Sequence, residues 1–448
     1  MSYDVVIIGG GPAGEHCAAR LVEGGAKVAL VERELVAGEC SYYACIPSKT
    51  LLRSGETLAQ ARAVDGTADA VCGPINVERA LAYRDYMVSD YSDAGQVKWL
   101  DDTGIDLIRG EGRIAGAGRV VVDGQQIETT HIVLATGSDP VLPPIPGLVE
   151  LDGIWTNREA TGVKEIPRRL LVLGGGPVGV EMAQALRRLG AQTVVVEGMD
   201  HVLAREPREL GEALGRALER DGVELQLGMH ATQASRDGDD YVLSFADGTE
   251  LRGDKLLVAT GRRARIDVGL DSLGLYPDPH GIAVNERMAV DGARNIWAIG
   301  DCNGVWPLTY VGKYQARVAA ANILGGDVRA SYEAVPRVVF TDPQVASVGE
   351  PDGDLHATVS LAEVPRTATY TRDWEDAGFM TLVSDGERLT GAYALGPEAG
   401  EWLQQATLAI RARVPLDVLR DTIQPFPTFS ESFLYALQKL GSRTLAAA

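Results

Sequence analysis

The 448-residue chain is poor in cysteine, histidine and positive charge. Five cysteines, an odd and sparse set in so long a chain, do not make an extracellular disulfide framework. A cytoplasmic setting is the expectation, and there a close cysteine pair is catalytic or metal-binding more often than structural. Lys and Arg number 42 against 62 Asp and Glu, a net charge of -20, which argues against nucleic acid or an anionic membrane as partner. No apolar run approaches the length that spans a bilayer. The opening "YDVVIIGGG" reads as a buried strand from Tyr3, which leaves no room for a targeting leader. With six histidines, none in ligand spacing near a cysteine pair, a metal site is not expected. What remains is a globular protein with enough chain for two to four domains.

One pattern is stated twice. "YDVVIIGGGPAGEHCAARLVEGGAKVALVERE" and "RRLLVLGGGPVGVEMAQALRRLGAQTVVVEG" each read strand, glycine turn, helix, strand. Each holds G-x-G-x-x-G, formed by Gly9, Gly11 and Gly14 and again by Gly174, Gly176 and Gly179. Each ends its second strand in an acid, Glu32 or Glu197. The third glycine lets the helix pack closely on the sheet, and the carboxylate can accept from both hydroxyls of an adenosine ribose. Two bound dinucleotides are expected.

A second duplication supports the first. Residues 131–140, "HIVLATGSDP", and 255–265, "KLLVATGRRAR", both run a buried strand into Ala-Thr-Gly. "PVLPPIPG" then reads as a linker. "NIWAIGDC" predicts a strand ending at Gly300 and Asp301, with a helix from about Thr309. Asp301 can bond a ribityl hydroxyl, and that helix N-terminus favours electron density on a flavin ring. From about Ser331 strands and turns precede a helix, which marks a separate α+β unit read as a scaffold or dimerisation module.

The segment "CSYYACIPSK" places Cys40 and Cys45 close together. Successive turns near a helix start would bring the sulfurs near enough to bridge. The helix start and the Lys49 charge would lower a thiol pKa. A flavin can take a hydride on one face and pass electrons to a disulfide on the other, so this pair is read as redox-active. Cys17, Cys72 and Cys302 are read as structural.

These motifs together resemble the class I pyridine nucleotide-disulfide oxidoreductases, the group of lipoamide dehydrogenase, glutathione reductase and mercuric reductase, from Tyr3 to about Leu440. The resemblance implies an α/β fold with two Rossmann-like dinucleotide-binding domains and a C-terminal α+β dimerisation domain. FAD would occupy residues 1–145 and 266–330, a nicotinamide nucleotide residues 146–265, and the interface of a homodimer residues 331–448. FAD contacts carried over are Gly9, Gly11, Gly14, Glu32, Lys49, Gly112, Thr136, Gly137, Asp301 and Thr309. Nicotinamide-nucleotide contacts are Gly174, Gly176, Gly179, Glu197 and Gly261. Glu197 would repel a 2′-phosphate, which favours NAD(H) over NADP(H), while nearby Arg205 keeps the alternative open. Cys45 would face the flavin and Cys40 the substrate, with Lys49 paired to Glu181 beside the ring.

The pattern also breaks. Phe426 stands where the family has a histidine that reaches across the dimer, held by a glutamate matching Glu431, to serve the substrate-facing thiol. Phenylalanine holds no proton, and thiol-disulfide exchange needs an acid for the leaving sulfur. Glu39 replaces the usual threonine, and Tyr42 and Tyr43 replace small or amide residues. A tyrosine hydroxyl as substitute proton donor and aromatic wall packing are equally open. Phe426 and Phe429 either line an apolar pocket or pack a dimer seam. No cysteine follows Cys302 and the tail "GSRTLAAA" is featureless, which disfavours mercuric reductase and the large thioredoxin reductases. The expected activity is therefore a flavin-dependent pyridine nucleotide-disulfide oxidoreductase, akin to dihydrolipoyl dehydrogenase, acting on a small disulfide or other small acceptor. The rivals are a quinone or dye reductase working directly from the flavin and a redox-sensing flavoprotein with little turnover.

Overall fold

Strand Ser2–Ile8 is apolar on both faces, and Val5, Val6 and Ile7 are wholly inaccessible. That is the mark of a central parallel strand covered on both sides. The computed structural model describes residues 2–371 and 377–446, with side chains to residue 440. The side chains of the tail read above as featureless, residues 441–448, lie outside the described residues. The chain forms two compact units.

The first unit comprises Met1–Pro47, Ala82–Val141 and Gly261–Ser331. Its seven-stranded sheet runs Asp106–Arg109, Val28–Glu32, Ser2–Ile8, Gln125–Leu134, Arg119–Val122, Gly112–Ile114, with Ile296–Ala298 also pairing Gln125–Leu134. Val5 lies opposite Val28, and Ile8 opposite Leu134, in parallel register. Helix Pro12–Glu23 begins on Pro12, whose missing N–H costs nothing at a first turn. Its Cys17, Ala18 and Leu21 share a core with Ala316 and Ala319 of helix Thr309–Ile323. A side ribbon pairs Ser138–Pro140 antiparallel with Arg262–Ala264.

The second unit comprises Ser48–Leu81, Leu142–Thr260 and Tyr332–Ala448. A four-stranded parallel sheet runs Glu224–Leu227, Gln192–Glu197, Arg169–Leu173, Lys255–Val258. Helix Pro177–Arg188 follows its glycine turn just as Pro12–Glu23 follows the first. A three-stranded antiparallel sheet spans Ala231–Asp237, Asp240–Phe245 and Glu250–Gly253. The C-terminal region is a five-stranded antiparallel sheet, Arg337–Val339, Gln344–Gly349, Leu389–Gly396, Phe379–Ser384, Leu355–Ser360. Helix Glu431–Ala446 covers it, burying Phe433, Leu437 and Leu440. Arg188, largely buried, binds Asp221 at 2.9 Å and Asp342 at 2.8 Å, which ties the nucleotide-type sheet to the C-terminal region inside this unit. The fold is α/β with two Rossmann-like sheets and a C-terminal α+β region.

The cysteines depart from the sequence reading in two respects. Cys40 and Cys45 do not sit on successive turns of one helix. Cys40 belongs to the short helix Gly38–Tyr42, and Cys45 opens the next, Cys45–Arg62, after a break at Tyr43 and Ala44. Cys17 and Cys302 are buried, as structural thiols are, but Cys72 is exposed and packs no core.

Candidate active site

The two glycine turns are near copies in atomic detail. Gly9 has φ +109° and Gly174 φ +110°. A Cβ there would strike Ala135 O at 2.3 Å and Ala259 O at 2.6 Å, the carbonyls just before each Thr-Gly. On Gly14 and Gly179 a Cβ would come within 2.0 and 1.9 Å of the carbonyls of Gly9 and Gly174. The helices therefore touch their strands backbone to backbone. Gly11 has nothing within 4 Å of its missing side chain, and Gly176 has only Ala259 O at 4.0 Å. At those points each loop offers bare backbone to whatever sits above it. Gly137 and Gly261, at φ +74° and +133°, are equally open.

The strand-end acids are set alike. Glu32 accepts from the N–H groups of Gly10 and Glu34, both at 2.7 Å. Glu197 accepts from Gly175 at 2.6 Å and Met199 at 2.9 Å. Each carboxylate is anchored by its own loop and keeps lone pairs for further donors. Gly112 packs instead on the sheet, where a Cβ would lie 3.0 Å from Val31 and 3.2 Å from Ile8. Thr136 donates to Arg265 O at 2.8 Å. Arg205 is exposed.

In the first unit the two redox candidates meet. Cys45 Sγ lies 3.5 Å from Thr309 Oγ1, at the first residue of helix Thr309–Ile323. The Cys40 thiol pKa is raised, chiefly by its hydrogen bond with Cys45 and then by burial; Thr309 and Lys313 act in the opposite sense. Asp301 accepts from Ser138 Oγ at 2.6 Å, and Ser138 in turn accepts from Arg262 Nε at 2.7 Å. The same guanidinium binds Glu39 at 2.5 Å, with Arg265 at 3.7 Å. Glu39, the acid beside Cys40, is thus held by two arginines, and the chain Asp301–Ser138–Arg262–Glu39 links strand end to cysteine helix. Sequence reasoning missed Arg262 and Ser138, although both follow directly on the duplicated Ala-Thr-Gly.

In the second unit Lys49 Nζ donates to Glu181 at 2.8 Å and lies over the Phe340 ring at 4.7 Å. Glu181 also accepts from the Phe340 N–H at 2.9 Å and is buried. Glu431, buried at the start of its helix, accepts weakly from Thr428 N–H and from the Tyr435 hydroxyl. Phe426 is 71% exposed. Phe429 does not line a pocket. It is buried against Tyr370, at 5.3 Å edge to face, and Trp402.

The tyrosine question resolves toward packing. Tyr42 is buried with Ala37 and Val88, and burial pushes its hydroxyl up to about 12. Tyr43 stacks on Tyr91 at 5.6 Å. The Tyr42 phenol, so hard to ionise, makes a poor proton shuttle near neutral pH.

Residues 3–320 match the family described as pyridine nucleotide-disulphide oxidoreductase, and residues 335–437 match the dimerisation domain of that family. The chain belongs to the pyridine nucleotide-disulfide oxidoreductases. Within that family it is 35% identical to a mercuric reductase of Acidithiobacillus ferrooxidans, over 97% of this chain and 82% of the relative. It is 33% identical to a dihydrolipoyl dehydrogenase of Thermus scotoductus, over 99% of this chain and 98% of the relative. Among solved structures, the HOCl-induced flavoprotein disulfide reductase RclA from Escherichia coli superposes with a TM-score of 0.85 at 27% identity, over 97% of this chain and 99% of that one. This oxidoreductase is flavin-dependent and uses FAD with a pyridine nucleotide. It carries the family's dimerisation domain, and no described helix is long and apolar enough to cross a membrane.

The residues present fit the family's cofactors. Gly11 and Gly137 leave bare backbone on the loops after two strands of the sheet whose next strand ends in the anchored Glu32, as a dinucleotide's phosphates and ribose require; Gly176, Gly261 and Glu197 repeat the arrangement.

Proposed function

We propose that this oxidoreductase takes electrons from a reduced nicotinamide nucleotide and passes them through FAD to the Cys40–Cys45 pair, then to a small disulfide or other small acceptor. NADH is favoured over NADPH, because Glu197 at the end of its strand opposes a 2′-phosphate and the exposed Arg205 is left to offset it. Gly9, Gly11, Gly14, Glu32, Thr136, Gly137, Asp301 and Thr309 would hold FAD, with Lys49 beside it and Gly112 shaping the sheet beneath. Gly174, Gly176, Gly179, Glu197 and Gly261 would hold the nicotinamide nucleotide. FAD, when bound, supplies a hydride acceptor for the nicotinamide and an electron-pair donor for sulfur.

The chain's own residues do the rest. Cys45, at the N-terminus of helix Thr309–Ile323, is placed where the helix dipole and the Thr309 hydroxyl favour a thiolate. Cys40, hydrogen-bonded to it, is the sulfur that meets the acceptor. The Lys49–Glu181 pair holds a positive charge in a fixed place, and Glu39 clamped by Arg262 and Arg265 fixes the cysteine helix. The homodimer would bring Glu431 and Phe426 of one chain to the acceptor side of the other. The sparse cysteines suit a cytoplasmic enzyme.

The observation that carries this reading is the contact of Cys45 with Thr309 together with its hydrogen bond to Cys40. Anaerobic titration with NADH tests it. Wild type should take up one further equivalent of NADH per FAD than Cys40→Ser. Equal uptake would sink the relay, and full quinone reduction by a Cys40→Ser/Cys45→Ser variant would establish the direct flavin route instead.

A further inference from the structure

A ribose held by Glu197 carries its base on the carbon next to the 2′-hydroxyl, so an adenine there must lie within reach of the residues flanking this acid. Strands Gln192–Glu197 and Glu224–Leu227 are parallel neighbours in the second unit, with Leu227 opposite Glu197. Both segments therefore leave the sheet side by side at its carboxyl edge, where open α/β sheets bind their ligands. Two backbone hydrogen bonds hold the departing loops together. Gly228 N–H donates to Met199 O at 2.8 Å, and Met229 N–H donates to Glu197 O at 3.0 Å.

This pairing brings His230 onto Gly198, the residue directly after the acid. A Cβ on Gly198 would fall 2.4 Å from His230 Cε1, 2.8 Å from Nδ1 and 3.3 Å from Nε2. The imidazole thus fills the space of the missing side chain, and any side chain at 198 would displace it. In the first glycine turn the residue after the acid is Arg33, so the turn itself does not demand glycine at this place. His230 is nonetheless exposed, which leaves part of the ring open to a ligand, and Met199 beside it is 52% exposed.

We propose that His230 is the stacking surface for the adenine of the nicotinamide nucleotide, a determinant of affinity for the adenosine half and not of the hydride step. This rests on the function proposed above, which puts that nucleotide on the second turn. An imidazole is flat and offers a π face on which a purine stacks. Glu197 accepts from Gly175 and Met199 and keeps lone pairs for the ribose hydroxyls. Acid and ring therefore divide the adenosine between them, sugar to one and base to the other.

Calorimetric titration of ADP-ribose into FAD-loaded, oxidised enzyme reads this without turnover. His230→Ala should weaken binding by about fivefold or more. His230→Phe should restore it, and His230→Gln, which fills space without a ring, should not. In steady state with ferricyanide as acceptor, His230→Ala should raise the KM for NADH by a like factor with kcat unchanged. Reduced nicotinamide mononucleotide, which lacks the adenosine half, should be oxidised alike by wild type and the three variants. Unchanged ADP-ribose binding in His230→Ala overturns the inference, as does a loss shared by the mononucleotide. A loss confined to NADPH also overturns it, since the imidazole would then be a phosphate contact. Wild type that binds ADP-ribose no more tightly than ribose 5-phosphate would instead remove the nucleotide from the second turn, and the function proposed above would fall with it.

Discussion

Glu15 has its Oε1 buried without a hydrogen-bond partner, on the first turns of helix Pro12–Glu23. Burial, opposed by Lys313 and reinforced by Glu32, raises its carboxyl from 4.5 to about 7. Between those values the folded chain holds a proton that the unfolded chain has released. Stability from this group is thus full below pH 4.5 and is lost as pH rises toward 7, after which the loss is constant. The penalty is up to about 3 kcal/mol, less whatever water recovers. Glu15→Gln should therefore gain on wild type in urea midpoint from pH 5 to pH 7.5, and a gap independent of pH would show that the carboxyl titrates normally. Nothing in the run "GPAGEHC" reveals this, because a residue after the third glycine can face core or solvent. Its burial is decided by the packing of a helix some 300 residues later.

At the scale of elements, far more was legible. Both strand–glycine–helix turns, the acids Glu32 and Glu197, and a helix from Thr309 follow from patterns with one backbone solution, since only glycine tolerates Gly9's φ or the approach of Gly14 to a carbonyl. The cysteine segment was less legible. A five-residue helix broken before a second one carries no periodicity, so Cys40 and Cys45 read as neighbours on one helix. The partners of Glu39 were invisible because a pair 223 residues apart leaves no local trace. The duplicate turns also make a paired prediction. Gly14→Ala and Gly179→Ala each force a methyl into a backbone carbonyl that cannot yield, a strain of about 1–3 kcal/mol. Gly14→Ala should lower FAD content on purification, read by flavin absorbance. Gly179→Ala should keep its flavin but raise the KM for NADH several-fold, and the reverse assignment would show that the two turns have exchanged roles.

For the whole molecule the decisive question is whether proton transfer at Cys40 is a matter for one chain or two. Large apolar side chains stand exposed just before the last helix, Phe426 at 71% and Ile423 at 94%, in a region matching the family's dimerisation domain. Such exposure is costly in water and suits a face covered by a twofold copy. If the copies pair as in the family, a histidine at position 426 would reach the partner's Cys40. That placement predicts a gain confined to disulfide acceptors. Phe426→His should therefore raise the rate of lipoamide reduction. The gain should be ~tenfold or more, with the quinone rate unchanged. Since the added residue serves the other subunit, mixing wild-type with Phe426→His/Cys40→Ser chains should raise the rate only in the hybrid dimer. Failure of the hybrid, with both parents dimeric by light scattering, would place position 426 away from the partner's sulfur.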